Sequence, residues 1–253
     1  MRALDCRRRR PSPGGPNGAP LENGRMPMTV RIWDLPTRVF HWALAACIVG
    51  SIVSVKLGGN AVAWHFRFGY AILALLIFRV LWGFAGPRCA RFASFPPNPA
   101  AALRYLRDGT GERAGHSPLG ALSVYALLAA LALQAGTGLF ANDSIMWDGP
   151  LKGLVSNATS DLVTRVHRLN RFVVIGLIVL HVAAIAFYRV ARGRRLVGPM
   201  VHGDVPASAP GHDNAEPSRD DASIRLRALA LLAISALSVW GLLRLGASAA
   251  PAF

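Results

Sequence analysis

Residues 167–188 read HRLNRFVVIGLIVLHVAAIAFY, and from 172 onward the run holds no Lys, Arg, Asp or Glu. A helix that crosses a bilayer needs about 20 mostly apolar residues, so 169–188 reads as a membrane span. Its two histidines say more than its length. At about 100° and 1.5 Å per residue, His167 and His181 stand about 40° apart in azimuth and about 21 Å apart along the axis. They share a face, and one falls near each side of a hydrocarbon core about 30 Å thick. Ionisable residues in that setting are costly and usually functional.

Working outward, four more segments have the same character: 37–55, 64–84, a span within 114–142, and 224–243. The 253-residue chain is 53% hydrophobic and 16% charged, against about 25% charged in an average soluble domain. Five such segments packed as a soluble core would leave too little polar surface to face water. The expected fold is therefore all-α and integral to a membrane, with a four-helix bundle over 29–203 and an additional C-terminal transmembrane helix over 224–245. Residues 1–28, basic and rich in Pro and Gly, read as a disordered arm. They have no apolar h-region of a secretory signal. Residues 204–223 read as a flexible linker.

The net charge is +15, with 28 Lys and Arg against 13 Asp and Glu. The basic residues lie between apolar runs and not on a polar domain, so lipid is the expected partner and nucleic acid is not. The N-terminal arm, 79–116 and 189–227 carry 8, 6 and 7 of the basic residues, while 56–67, 143–171 and 244–253 carry 2, 4 and 1. By the positive-inside rule the N-terminus is cytoplasmic. The three cysteines, Cys6, Cys47 and Cys89, have no paired spacing, and no CxxCH motif for covalent haem attachment is present. Trp33, Trp42, Trp64, Trp82 and Trp147 fall near span ends, where an interfacial belt is expected.

Span direction places His41 level with His181 on the cytoplasmic side, and His65 level with His167 on the other. A single histidine near a helix end is more often an interfacial polar residue than a ligand. Two pairs matched in depth point elsewhere: an iron porphyrin takes two axial ligands in line, and two imidazoles leave no open coordination position, which suits electron transfer. Arg38 and Arg79 lie at the depth of the His41/His181 pair, where haem propionates would need cationic partners. Each arginine can equally be an interfacial anchor. Gln134-Ala135-Gly136-Thr137-Gly138 allows close packing of a helix or a porphyrin. His116, before Ser117-Pro118, reads as a loop or cap residue, with a quinone site or proton path as the sharper alternative.

The runs 31–42 (RIWDLPTRVFHW), 78–87 (FRVLWGFAGP), 115–120 (GHSPLG) and 134–140 (QAGTGLF) resemble the bacterial cytochrome b561 family, which includes the b-type cytochrome subunits of nickel–iron hydrogenases. The resemblance covers about residues 29 to 203. It implies a four-helix bundle in the bacterial inner membrane holding two haem b groups. The ligands would be His41 and His181 for the inner haem and His65 and His167 for the outer one. It also implies electron transfer between the quinone pool and a partner redox protein, a hydrogenase, dehydrogenase or c-type cytochrome, with a bound quinone as a candidate second cofactor. Two rival readings stand beside it: a self-sufficient quinol or superoxide oxidoreductase, and a non-redox membrane anchor.

Overall fold

The computed structural model describes residues 29–108, 115–207 and 216–249; the basic arm expected over 1–28 lies outside them. Five helices are long and apolar enough to cross a membrane. They are α1 (Leu35–Leu57), α2 (Val62–Ala85), α4 (Pro118–Gly138), α5 (Asn157–Ala191) and α7 (Ala222–Ala249). A short helix α3 (Pro99–Asp108) and one further turn, α6 (Val197–His202), lie between them. Strands β1 (Thr29–Arg31) and β2 (Asp204–Pro206) pair antiparallel, with Val30 opposite Val205.

Side chains set the helix starts. Asp34 caps α1 by accepting the Thr37 N–H at 2.9 Å, and Pro36 occupies the first turn. Ser117 caps α4 by accepting the Gly120 N–H at 3.1 Å, with Pro118 following it. Ser156 caps α5 in the same way through Thr159 at 3.2 Å. Each cap satisfies a backbone donor that has no intrahelical partner. Gly58, at φ 70°, turns the chain between α1 and α2 in a conformation that side chains rarely adopt. At 35 residues, α5 is about 52 Å long. It begins twelve residues before the expected span because its first turns are amphipathic and make contacts outside the apolar band: Ser160 Oγ donates to the Phe140 carbonyl at 2.7 Å.

The helices run up and down. α1 packs along α2, α4 along α5, and α7 against α2. Arg227 at the start of α7 donates to the Ala85 carbonyl at the end of α2, while Gly246 near the end of α7 lies against Pro150. The shared core joins Phe40 and Leu44 of α1, Ile72, Leu76 and Trp82 of α2, Leu131 of α4, Val174 of α5 and Ile224 of α7. Outward-facing Val49, Leu180 and Leu237 are each more than 60% exposed, an apolar perimeter suited to lipid. Below, "inner" denotes the end carrying β1 and "outer" the opposite end.

Two expectations change. Residues 204–223 are not loosely tethered at either end: β2 pairs with β1, and the Ser218 N–H donates to the Arg31 carbonyl at 2.7 Å. Asp220 accepts from Arg31 at 2.9 Å and Arg225 at 3.2 Å, with Arg38 at 3.8 Å. Composition gives no sign of this, because its cause is a charge pairing across more than 180 residues. The tryptophan belt also divides. Trp42 and Trp64 are about half exposed, but Trp33 and Trp82 are buried. Trp82 Nε1 donates to both Asp34 and Thr37 at 3.2 Å and its ring stacks on Phe78, so it is a core residue with its polar atom satisfied.

Candidate functional site

The four span histidines come together in two couples. The His41 and His181 ring centres lie 6.4 Å apart with their planes at 50°. The His65 and His167 centres lie 6.3 Å apart with planes at 90°. These helices otherwise stay apart: among the described residues α5 has no packing seam with α1 or α2 comparable to its seam with α4. The ring couples are what span the space between them. Two imidazoles clamping one metal in line need about 2.0 Å per metal–nitrogen bond and about 1.1 Å from each nitrogen to its ring centre, about 6.2 Å in all. Both couples lie close to that separation.

The outer couple shows which nitrogen would bind. His65 Nδ1 lies 3.1 Å from the Ser51 carbonyl and 2.9 Å from Ser51 Oγ. His167 Nδ1 lies 3.0 Å from the Gln134 carbonyl and 3.2 Å from Thr137 Oγ1. A carbonyl can only accept, so each Nδ1 carries the proton and each Nε2 keeps its lone pair. Asn170 donates to Gln134 Oε1 at 2.8 Å, which turns the Gln134 amide N–H toward His167 Nε2 at 3.0 Å; this agrees with the tautomer, and the amide would have to turn away for that lone pair to bind a metal. A carbonyl on the far nitrogen is the usual support for a metal-binding imidazole. Gly69, one turn after His65, has nothing within 4 Å of the place a Cβ would occupy, which leaves open space beside that imidazole. Gly138 lies against the His167 ring, 3.1 Å from Cε1.

The inner couple is set differently. Neither imidazole makes a hydrogen bond among the described residues, and His41 Nδ1 is buried without a partner. Arg38 donates to the Val201 carbonyl at 2.6 Å, but its Nε is buried and unpaired. Arg79 is only 4% exposed. It lies over the Phe92 ring at 4.7 Å, within electrostatic reach of Asp34, and its Nη1 is buried and unpaired. Buried polar atoms in proteins nearly always have partners. Three of the four that lack one among the described residues belong to His41, Arg38 and Arg79, a surplus of buried donors that an anionic ligand could satisfy. The donors and the ring spacing fit a haem.

His116 does not join either couple. Its ring stacks on Phe95 at 4.1 Å and meets Trp33 edge-on at 4.8 Å. Burial, with the Arg79 charge beside it, pushes its pKa down to about 3, so it is neutral at ordinary pH. Burial also raises the Asp34 carboxyl above its usual range, although Thr37 and Trp82 donate to it. His202 lies exposed on α6, and His212 lies outside the described residues. Nothing in the sequence singles out Ser51 or Asn170, and the stretch holding Gln134 and Thr137 reads there as close packing of a helix or a porphyrin, with no contact to a histidine. The available signal was a polar side chain inside an otherwise apolar run.

A family model described as prokaryotic cytochrome b561 matches residues 32–203. Neither a curated protein nor a solved structure matches the chain.

Proposed function

The chain belongs to the prokaryotic cytochrome b561 family and is a multi-pass bacterial membrane protein, a b-type cytochrome involved in transmembrane electron transfer; we propose that it holds two haem b groups, one near each face. In this reading His41 and His181 would hold the inner haem, and His65 and His167 the outer one. The carrying observation is the matched ring separation of the two couples, 6.4 and 6.3 Å, about 21 Å apart along α5. Haem held by these four histidines would supply one-electron chemistry. The chain contributes the rest. His65 and His167 are fixed in the ligating tautomer by main-chain carbonyls. Arg38 and Arg79 each keep one buried donor for the inner propionates. The apolar helices exclude water between the two levels.

The basic residues on the N-terminal side support a cytoplasmic N-terminus. The function we infer is to carry electrons across the bacterial inner membrane between the quinone pool and a partner redox protein: a hydrogenase, a dehydrogenase or a c-type cytochrome. Residues 29–203 are the cytochrome unit, and α7 is an added helix.

The test is transfer across a sealed membrane. Full chain loaded with haem is reconstituted into vesicles that enclose ferricyanide, and dithionite is added outside. Ferricyanide is expected to bleach only in vesicles that contain the chain, and far more slowly with His65→Ala. Bleaching that is equally fast in the variant would contradict a relay through both haems.

A further inference from the structure

The two couples use the same ligand but support it unequally. At the outer couple, both imidazoles donate from Nδ1 to one main-chain carbonyl and one hydroxyl: the carbonyl and Oγ of Ser51 for His65, and the carbonyl of Gln134 with Oγ1 of Thr137 for His167. Thr137 Oγ1 spends its own proton on the Leu133 carbonyl at 2.6 Å, so toward His167 it acts as an acceptor. At the inner couple neither imidazole has any such acceptor among the described residues, and His41 Nδ1 is buried and unpaired.

An acceptor on Nδ1–H pushes electron density into the ring and makes Nε2 a stronger donor to a metal. A stronger donor favours ferric over ferrous iron, and second-shell hydrogen bonds are among the levers that set haem potential. We propose that Ser51 and Thr137 are positioning residues that make the outer haem the lower-potential of the two. One electron shared between the sites then rests at the inner haem, and transfer from outer to inner is the downhill direction: the outer iron is oxidised from ferrous to ferric as the inner is reduced from ferric to ferrous, with no other reactant. This rests on the ligand pairs proposed above.

The experiment is potentiometry of the purified, haem-loaded full chain, followed in the visible absorption bands, with haem content per chain measured on every sample. Wild type is expected to resolve into a lower and a higher component. Ser51→Ala and Thr137→Val are expected to move the lower component upward and leave the higher one in place, and Ser51→Thr is expected to restore the wild-type value. A merely structural role would lower haem content without moving a potential. As a second arm, the haem kept by His181→Ala is expected to have a lower midpoint than the haem kept by His65→Ala. A wild-type chain with fewer than two haems overturns the ligand reading and this inference with it. Two haems with the outer one higher, or Ser51 and Thr137 variants that leave the lower component unmoved, overturn this inference alone.

Discussion

The two ends of the bundle solve one problem in opposite ways. At the outer end the rings are secured by the helices themselves: carbonyls and hydroxyls of α1 and α4 hold the His65 and His167 rings, and Asn170 orients Gln134 against His167. At the inner end the rings themselves are unsupported, and the investment lies around them. A strand pair, the Asp220 carboxylate and the cluster of Trp33, Phe95 and His116 tie together the start of α1, the segment after α6 and the start of α7. Burying polar groups in hydrocarbon is tolerated only where they are paired. The outer end meets that demand with protein alone. The inner end leaves buried donors on His41, Arg38 and Arg79, which is where an anionic cofactor would contribute most to stability.

The sharpest way to break this contrast is to remove one ligand at each end. His181→Ala should lose the inner haem and keep the outer, and His65→Ala the reverse, read as haem content and absorption spectrum against unchanged helicity. Loss of the inner haem from His65→Ala would undo the pairing by level. The contrast also predicts unequal retention: stripped of haem, the outer end should keep its structure better than the inner, seen as slower amide exchange around His167 than around His41.

Asp220 gives a smaller effect confined to the inner end. Burial pushes its carboxyl up, but hydrogen bonds from Arg225, the Leu35 N–H and Arg31 outweigh this and hold it below the ordinary carboxylate range. A depressed carboxyl stabilises the fold fully above its ordinary pKa, and that contribution is lost as pH falls through the depressed value. Asp220→Asn should cost about 1–3 kcal/mol in thermal or denaturant unfolding and flatten the acid limb of stability, while leaving the outer haem intact. His116 runs in the same direction higher on the scale. Its neutral form is favoured in the fold down to about 3, so stability should fall as pH drops from about 6.5 toward that value, and His116→Phe should remove that slope.

The smallest effect expected is at Gly138. A methyl there would meet His167 Cε1 at 3.1 Å, so Gly138→Ala should displace that ring by a few tenths of an ångström and cost about 1 kcal/mol. It should change the spectrum of the outer haem and not of the inner.

The legible part of this molecule was what apolar length and helical arithmetic carry. The spans of α1, α2, α4 and α7, and which histidines lie level with one another, followed from the sequence, because a bilayer fixes how long a helix must be. What escaped depended on partners far apart in the chain. Asp220 is an unremarkable residue in a polar stretch until Arg31 lies beside it. Trp82 resembles an interfacial tryptophan until Asp34, 48 residues earlier, accepts its N–H. Ser51 looks like helix filler because its functional atom is partly its own carbonyl, which every residue possesses. Only the approach of His65 gives it a role.

The most direct measurement is the haem b content of the purified full chain, taken with the low-temperature electron paramagnetic resonance spectrum of the oxidised protein. Two haems per chain, both low-spin ferric with six ligands and giving two distinct signals to match ring planes at 50° and 90°, is the predicted result. A single haem, or a high-spin centre with an open axial position, would contradict it.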